Sequence, residues 1–320
     1  MTAADAPSST AMNLVYFGSG SFGLPTLQGL RARHRVVLVV TQPDRPAGRQ
    51  RRLAATPIAR YAAEQGLATI KPGEVNDADT VRRIGQAGAD GFVVVAFGQK
   101  LGRALADGVF AVNLHASLLP KYRGAAPVNW AIINGETETG VSVITLSQRI
   151  DAGDVLGRRA TPIDARETAG ELQQRLAELG PQLMIEILGQ YRTGKLDPQT
   201  QDDADACRAP RLAKSDGTVR FDQAASAVQQ CVHGLNPWPG CTVDLGGAAL
   251  KLNRVEVVDD PAPSGPPGRI LDDHTVACAT GRVRLLDVQP PGGTAMTFEA
   301  YLRGHAAPGG AGAEPLLRAK

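Results

Sequence analysis

The sequence predicts an α/β fold in two parts: an N-terminal Rossmann-like, doubly wound and mostly parallel sheet, then a smaller OB-like C-terminal β-barrel domain. Before residue 190, strand-sized apolar runs alternate with helical stretches, which is typical of a parallel sheet covered by helices. After residue 210, short alternating strands are separated by Gly and Pro turns, as in a small barrel. A length of 320 residues suffices for two domains that each bury a core.

The N-terminal part of the sequence contains apolar strand-sized runs and signals that start helices. Residues 13–17 form a short apolar strand, and the nearly all-valine run at 35–41 is typical of a strand buried on both faces. Thr56-Pro57 supplies an N-cap and a first-turn proline for a helix. Hydrophobic periodicity predicts further strands at 68–70, 91–97, 110–114 and 140–147, and helices near 22–30, 77–86, 126–134 and 167–188.

The remaining chain follows a different pattern. A short helix near 224–234 precedes predicted strands at 241–245, 249–258, 268–272, 275–279 and 282–289. The predicted organisation is a disordered extension (1–11), an α/β catalytic domain (12–189), a polar linker (190–210), a β-barrel domain (211–305) and a flexible Gly/Ala/Pro-rich tail (306–320).

Composition excludes several classes of protein. The net charge of +2 gives no global basicity, so any nucleic-acid site must be local, and 4% aromatic residues argue against a base-stacking platform. No apolar run is long enough to cross a bilayer, and the first eleven residues do not resemble a signal peptide.

The four cysteines form no C-x-x-C pair and no cluster with histidine at metal-ligand spacing. Free thiols are therefore favoured over a zinc site or a disulfide framework, and no metal is expected. A reduced, cytoplasmic protein fits this usage.

A glycine motif follows the first strand. Gly18-x-Gly20-x-x-Gly23, with Asp44 about 20 residues further on, matches the dinucleotide fingerprint and suggests an NAD-dependent oxidoreductase. However, Asp44 lies beyond the end of the second strand, after Gln42-Pro43. Any tight turn between a strand and a helix also selects glycine, so a structural or ligand-lining turn is the competing interpretation.

The loop after the second strand is rich in arginine. Thr41-Gln-Pro-Asp-Arg-Pro-Ala-Gly-Arg49 runs on into Gln50-Arg-Arg-Leu53 and sets four arginines against one acid. They are Arg45, Arg49, Arg51 and Arg52. Such a loop suits contacts to RNA phosphates and base edges, although a solvated charged loop is the simpler alternative.

The strongest chemical signal lies between residues 113 and 151. Asn113 and His115 are two residues apart on a strand and so point to the same side. The loop Arg149-Ile-Asp151-Ala-Gly153-Asp follows the next strand. Because strand ends gather at one edge of a parallel sheet, we expect an Asn, a His and an Asp to converge there as an acyl-transfer site, the alternative being a structural histidine.

These segments resemble the formyltransferases that use 10-formyltetrahydrofolate. Asn113-x-His115, Ser117-Leu-Leu-Pro120 and Ile150-Asp151-x-Gly153-Asp154 are similar to the catalytic segments of the whole superfamily. The arginine-rich loop, Arg123-Gly-Ala-Ala-Pro127, Ala177-Glu-Leu-Gly-Pro181 and Asn236-Pro-Trp-Pro-Gly240 resemble its tRNA-acting branch. The similarity spans residues 12–305.

The resemblance implies transfer of the formyl group of 10-formyltetrahydrofolate to the α-amino group of methionine on initiator tRNA. The amine attacks directly through a tetrahedral intermediate, and Asn113, His115 and Asp151 are the implied catalytic residues. Implied folate contacts are Phe97, Gly98, Gln99, Leu101, Ser117, Leu118, Leu119, Pro120 and Gln148. For tRNA, the implied contacts are Arg45, Arg49, Arg51, Arg52, Lys214 and Lys251. We expect a monomer with no membrane partner.

Three alternatives remain at this point. A related formyltransferase acting on an amino-sugar nucleotide or another small amine keeps the Asn-His-Asp site but needs no arginine loop. The NAD-dependent oxidoreductase depends on the glycine turn, and a non-enzymatic RNA-binding module has no need of His115.

Overall fold

The structure, a computed structural model, describes residues 11–47, 52–258, 265–304 and 317–319. The chain divides into two compact units. The first is built from residues before 124 together with 140–160 and 173–208. The second is built from 124–139, 161–172 and the residues after 208.

Ten strands are described before residue 163, and eight helices over the described residues. The strands are β1 (Asn13–Gly18), β2 (Arg35–Val40), β3 (Arg45–Ala47), β4 (Arg52–Ala54), β5 (Thr69–Ile70), β6 (Gly91–Val95), β7 (Phe110–His115), β8 (Arg123–Gly124), β9 (Glu138–Thr145) and β10 (Val155–Pro162). The helices are α1 (Leu24–Arg31), α2 (Pro57–Glu64), α3 (Ala78–Gly85), α4 (Arg103–Ala106), α5 (Pro127–Ile133), α6 (Ala169–Arg192), α7 (Ala225–Gly234) and α8 (Phe298–Gly304).

A seven-stranded sheet, counted over the described residues, has the order β10-β9-β7-β6-β1-β2-β5. Its central pairings, β1 with β2 and β6, β2 with β5 and β6 with β7, are parallel. The pairing of β7 with β9 is antiparallel. The prediction of a mostly parallel sheet is therefore confirmed, and the strand direction reverses at β9.

Helix α2 begins as its sequence predicts. The Thr56 side-chain oxygen accepts a hydrogen bond from the Ala59 N–H at 3.0 Å, and Pro57 occupies the first turn. Helix α6 runs close to β7, because a Cβ added at Gly180 would lie only 2.5 Å from Leu114. This close approach fixes the strand that carries Asn113 and His115.

The glycine turn after β1 is explained by one buried side chain. Tyr16 is fully buried and donates a hydrogen bond to the Gly23 carbonyl at 2.7 Å. A Cβ at Gly18 would lie 2.5 Å from the Tyr16 ring, and one at Gly23 would overlap the Tyr16 hydroxyl. Two of the three fingerprint glycines thus make room for Tyr16, which favours the structural interpretation of the turn.

The next strand along the chain, β11 (Arg208–Ala209), lies outside the large sheets. The second unit has an antiparallel sheet whose strands are β12 (Cys241–Leu245), β13 (Ala248–Val258), β14 (Thr275–Ala277), β15 (Arg282–Gln289), β16 (Met296–Thr297) and β17 (Leu317–Ala319). Its order is β14-β15-β13-β12-β17, and β16 pairs with β15. The curled sheet is a half-barrel, so the predicted fold class is confirmed. Its apolar side packs with α7 and α8 into one core, to which Val243, Val255 and Phe298 belong.

Several predicted elements need correction. No strand is assigned at the predicted 268–272 among the described residues, where Ile270 makes an isolated bridge to Val276 and Gly268 has φ +89° instead of an extended conformation. The flexible tail predicted for 306–320 is wrong for residues 317–319, because β17 pairs with β12 and Leu317 is buried in the core. Strand β10, helix α8 and the β3–β4 hairpin were not predicted. The predicted extension at 1–11 lies outside the described residues except for Ala11.

Candidate active site

His115 ends β7 and is buried, with 6% of its surface exposed. Its Nε2 lies 2.9 Å from the carbonyl oxygen of Tyr122. Because a carbonyl only accepts hydrogen bonds, Nε2 carries the proton and Nδ1 is the ring atom free to take one up. Tyr122 has φ +62°, and its own N–H donates to the Cys207 sulfur at 3.2 Å.

Asp151 faces the other ring nitrogen. Its Oδ2 lies 3.6 Å from His115 Nδ1, and the two side chains are 15% and 7% exposed. Both ring nitrogens therefore face oxygen atoms of the chain. The structure thus brings His115 and Asp151 together.

The route by which Asp151 arrives differs from the one expected. We predicted that the ends of parallel strands would gather at one edge, but β9 is antiparallel to β7 and ends opposite Val112. Leu146 donates its N–H to the Ala111 carbonyl at 3.2 Å, so the loop starts near the beginning of β7 and must return toward its end. Asp151, at φ +52°, is placed by this returning loop.

Asn113 lies two residues before His115 on the same face of β7 and is half-buried. Its backbone lies between Val94 on β6 and Ile144 on β9. Within the part of the chain that the structure describes, its carboxamide makes no hydrogen bond. Its amide hydrogens are therefore available to a ligand.

The segment from Ser117 to Pro120 is fixed by a residue that the sequence did not single out. Ser142, buried on β9, donates to the Ser117 carbonyl at 2.7 Å and accepts from the Leu119 N–H at 3.1 Å. Ser117 Oγ donates to the Lys121 carbonyl at 2.6 Å, and Leu119 is buried. Leu118 and Pro120 are partly exposed. A small polar residue among valines at 141–143 was the available signal for Ser142.

The other predicted folate contacts play unequal parts. Phe97 and Leu101 are core residues, and Phe97 packs edge-on against Phe17. Only their backbone groups are available to a ligand. Gln99 accepts from the Val75 N–H at 2.8 Å, and the Gln148 carbonyl accepts from the Lys100 ammonium at 2.5 Å.

A polar cleft of about 390 Å³ opens beside this edge. Its lining residues are Gln42, Arg45, Gly73, Glu74, Asn76, Gly98, Gln99 and Lys100. The buried Gln42 Nε2 has no partner among the described residues. Polar groups at the carboxyl ends of parallel strands are typical of a ligand site, and these groups suit a polar, ring-bearing molecule such as a reduced folate.

The arginine-rich loop is partly described. Arg45 and Arg52 lie on the antiparallel strands of the β3–β4 hairpin, both exposed, and Arg45 donates to Gln42 Oε1 at 3.0 Å. Arg49 and Arg51 lie outside the described residues. Leu53, on β4, is 74% exposed.

The two predicted lysine contacts of the second unit differ. Lys214 is exposed at the start of a short 3-10 helix. Lys251 is half-buried on β13 and donates to the Pro237 carbonyl at 3.0 Å, so its ammonium is already engaged in the Asn236-Pro-Trp-Pro-Gly240 turn.

Two further findings bear on the class of the protein. No group of three His, Cys, Asp or Glu residues in the described ranges is placed to hold a metal ion. Among the helices described, none combines the length and the apolar character needed to span a membrane. The four cysteines are unpaired, with Cys231 and Cys241 sulfurs 3.9 Å apart.

The chain is similar to known proteins over nearly all of its length. The family model described as formyl transferase matches residues 12–188, and the model for the formyl transferase C-terminal domain matches residues 211–306. A chain from Citrifermentans bemidjiense named methionyl-tRNA formyltransferase is 40% identical, over 92% of this chain and 94% of the relative. One of the same name from Heliobacterium modesticaldum is 41% identical, over 92% and 97%.

Solved structures share the fold at low identity. An N-formyltransferase from Helicobacter canadensis, in complex with folinic acid and dTDP-3-aminofucose, superposes with a TM-score of 0.64 at 14% identity, covering 85% of this chain and 97% of that one. HypX from Aquifex aeolicus, in complex with tetrahydrofolic acid, gives 0.62 at 16% identity, covering 91% and 47%. At such identities these likenesses speak for the fold, while the family models and the sequence relatives decide the family. The chain belongs to the formyl transferase family, with both its N-terminal and its C-terminal domains.

Proposed function

We propose that this chain transfers the formyl group of 10-formyltetrahydrofolate to the α-amino group of methionine carried by initiator tRNA. The observation that carries the proposal is the environment of His115, held between the Tyr122 carbonyl and the Asp151 carboxylate beside an unpartnered Asn113 amide. Family membership and relatives named methionyl-tRNA formyltransferase support the same chemistry and acceptor.

The folate supplies a formyl group bonded to N10. Residues proposed to hold it are the backbone groups of Phe97, Gly98 and Leu101 with Gln99, then Gln148 and the segment Ser117–Pro120. The unpartnered Gln42 amide and the polar lining of the adjoining cleft fit this assignment.

The chemistry assigned to this chain's residues follows from their hydrogen-bonding capacity. The attacking amine must lose a proton, and His115 Nδ1 is the ring atom that can accept it, because Nε2–H is tied to Tyr122. Asp151 then faces the imidazolium and stabilises its charge. The proton is later delivered to the departing nitrogen, which completes the exchange.

Asn113 is assigned to the developing negative charge on the formyl oxygen. A preorganised amide donor in such a position typically contributes about 10²–10³ in rate. Its lack of a hydrogen-bonding partner among the described residues means that no existing bond must break before it donates.

For the acceptor, we propose that the arginine-rich loop contacts the tRNA acceptor end through Arg45, Arg49, Arg51 and Arg52, with Lys214 and Lys251 contributing from the C-terminal domain. Residues 211–320 contain eleven Lys+Arg and eleven Asp+Glu, so this domain needs a one-sided basic surface to bind RNA. We propose the division into a 12–189 catalytic domain, a 190–210 linker and a 211–305 tRNA-binding domain. A monomeric, cytoplasmic enzyme completes the proposal.

The deciding experiment is a formyl-acceptor assay. Charged initiator tRNA, charged elongator methionine tRNA, an amino-sugar nucleotide and free methionine are offered with 10-formyltetrahydrofolate. We expect formylation of charged initiator tRNA alone. Transfer to the amino-sugar nucleotide instead would contradict the acceptor while leaving the chemistry intact.

Arg52→Ala tests the tRNA contact with a matched control, because Arg52 is exposed on β4 and is not among the residues that line the cleft. Arg35→Ala removes another exposed arginine, at the start of β2, away from the hairpin. Arg52→Ala should raise the KM for tRNA and leave the KM for folate unchanged, whereas Arg35→Ala should change neither.

A further inference from the structure

The segment 199–207, which follows α6, lies against the loop that carries Asp151. Gln199 and Val155 exchange backbone hydrogen bonds of 2.8 and 2.9 Å at the start of β10. Thr200 Oγ1 donates to Asp154 Oδ1 at 3.0 Å. The segment therefore continues alongside the candidate site rather than crossing open solvent.

Gln201 is the buried residue of this segment, with 9% of its surface exposed. Its side-chain amide donates to the Asp151 carbonyl at 2.8 Å and to the Gly153 carbonyl at 2.7 Å. Its Oε1 accepts from Arg123 Nε at 2.9 Å. One side chain thus binds the backbone on both sides of the 151–153 turn and a residue from a second loop.

Asp203 makes a second connection between the same two loops. It accepts from Arg123 Nη1 at 2.8 Å and from Arg149 Nη2 at 2.6 and 2.7 Å. The hydrogen bonds from Arg149 and Arg123 hold the pKa of the Asp203 carboxyl well below its usual range, so it stays ionised at neutral pH.

These hydrogen bonds connect the two loops that contact His115, one through Tyr122 and the other through Asp151. Arg123 follows Tyr122, whose carbonyl holds His115 Nε2, and the Arg123 N–H donates to the Cys207 carbonyl at 2.9 Å. Asp151 reaches Nδ1 from a left-handed backbone conformation, φ +52°, which persists only where its surroundings hold it. The hydrogen bond that Gln201 donates to the Asp151 carbonyl stabilises this conformation.

We propose that Gln201 is a positioning residue that sets Asp151 against His115, with Asp203 fixing the same two loops from their exposed side. Gln201 touches the backbone of Asp151 and not its carboxylate, so it acts on the position of the charge and not on its size. The kinetic part of the test rests on the proposed function, whereas the spectroscopic part does not.

The test variant is Gln201→Glu, which places an acceptor oxygen against the carbonyls of Asp151 and Gly153 and still allows Oε1 to accept from Arg123. The matched control is Gln199→Glu, two residues away, where an exposed amide donates only to the Asp197 carbonyl at 3.4 Å among the described residues. We expect Gln201→Glu to lower kcat on the order of 10²-fold, as for displacement of a catalytic group by about 1 Å, with both KM values unchanged. Gln199→Glu should stay within about twofold of the parent chain.

A double-mutant cycle separates positioning from general damage. In an Asp151→Asn background no charge remains to be positioned, so Gln201→Glu should add almost nothing to the loss. Multiplicative losses would overturn the proposal.

The spectroscopic readout is the NMR signal of the His115 ring, assigned among the five histidines by its disappearance in His115→Asn. Gln201→Glu should shift this signal in the absence of any substrate, and Gln199→Glu should not. If Gln201→Glu fails to fold, Gln201→Met replaces it in both measurements. Failure of the parent chain to formylate charged tRNA would contradict the proposed function alone. A His115 signal that does not shift in Gln201→Glu would contradict the positioning role alone.

Discussion

Replacing Asp151 with Asn isolates the charge that faces His115. Asn has nearly the same shape as Asp and tolerates a positive φ, so the φ +52° conformation is retained. The two Gln201 hydrogen bonds go to backbone carbonyls of the loop, and the substitution leaves them intact. The position of the loop is kept and only its charge is lost.

The size of the effect follows from the distance. Two unit charges 3.6 Å apart interact with about 1 kcal/mol in bulk water and about 5 kcal/mol at an effective dielectric constant of 20. With 15% and 7% of the side chains exposed, the Asp151–His115 pair lies between these limits. Since about 1.4 kcal/mol is a factor of ten in rate, kcat should fall between about 5-fold and about 4 × 10³-fold.

The assay is steady-state formyl transfer to charged initiator tRNA, with the concentrations of tRNA and of folate varied in turn. The loss should appear in kcat and leave both KM values unchanged, because the charge matters only when the imidazolium forms. Asp154→Asn is the matched control in the same loop, where the carboxylate contacts Thr200 instead. A turnover of Asp151→Asn within threefold of the parent chain would refute the assigned role.

Three further predictions concern single residues. His115→Asn should abolish turnover while circular dichroism and thermal unfolding show the fold retained; turnover close to that of the parent chain would contradict the catalytic role of His115. Burial, with the nearby Arg254, lowers the pKa of His233 to about 4. The contribution of neutral His233 to the free energy of unfolding is therefore complete above pH 6.5 and is lost as the pH falls toward 4, by about 3 kcal/mol in urea unfolding. If the free energy of unfolding of His233→Gln changed with pH in parallel with that of the parent chain, this prediction would be contradicted. Thr56→Ala removes the N-cap of α2 and should cost about 1 kcal/mol, whereas Thr56→Ser should restore most of it; equal losses would show that the capping oxygen is unimportant.

Sequence patterns predicted strands best where a single hydrophobic period ran through the whole segment. The valine run of β6 and the alternating β12 and β15 were located to within two residues, because burial on two faces or on one gives distinct periods. Strand β10 was missed because Arg158 and Arg159 interrupt its apolar character, and its exposed positions alternate at the edge of the sheet. Helix α8 follows a Gly-rich turn and is only seven residues long, too short for a helical period to be visible.

The candidate site shows a different limit of prediction from sequence. Asn113 and His115 were predictable, since a strand places residues two apart on one face. Their partner Asp151 was predicted from an assumed parallel strand, and the pairing holds although β9 is antiparallel. A loop of nine residues can return along a strand, and no local pattern encodes that path. Gln201 was missed for the same reason, because a buried glutamine in a polar segment has no periodic signature.

The glycine turn shows how neighbouring side chains decide what a motif means. Gly18-x-Gly20-x-x-Gly23 matches a dinucleotide fingerprint in letters, but a fingerprint glycine serves a pyrophosphate only if the space beside it is open. Here Tyr16 fills the space at Gly18 and Gly23 and bonds to the Gly23 carbonyl. Burial raises the pKa of Tyr16 far above its ordinary value, so its hydroxyl keeps the proton that it donates to this carbonyl. Gly18 and Gly23 are required by the packing of one tyrosine, and the catalytic residues that we propose lie at the end of β7 and in the loop after β9 instead.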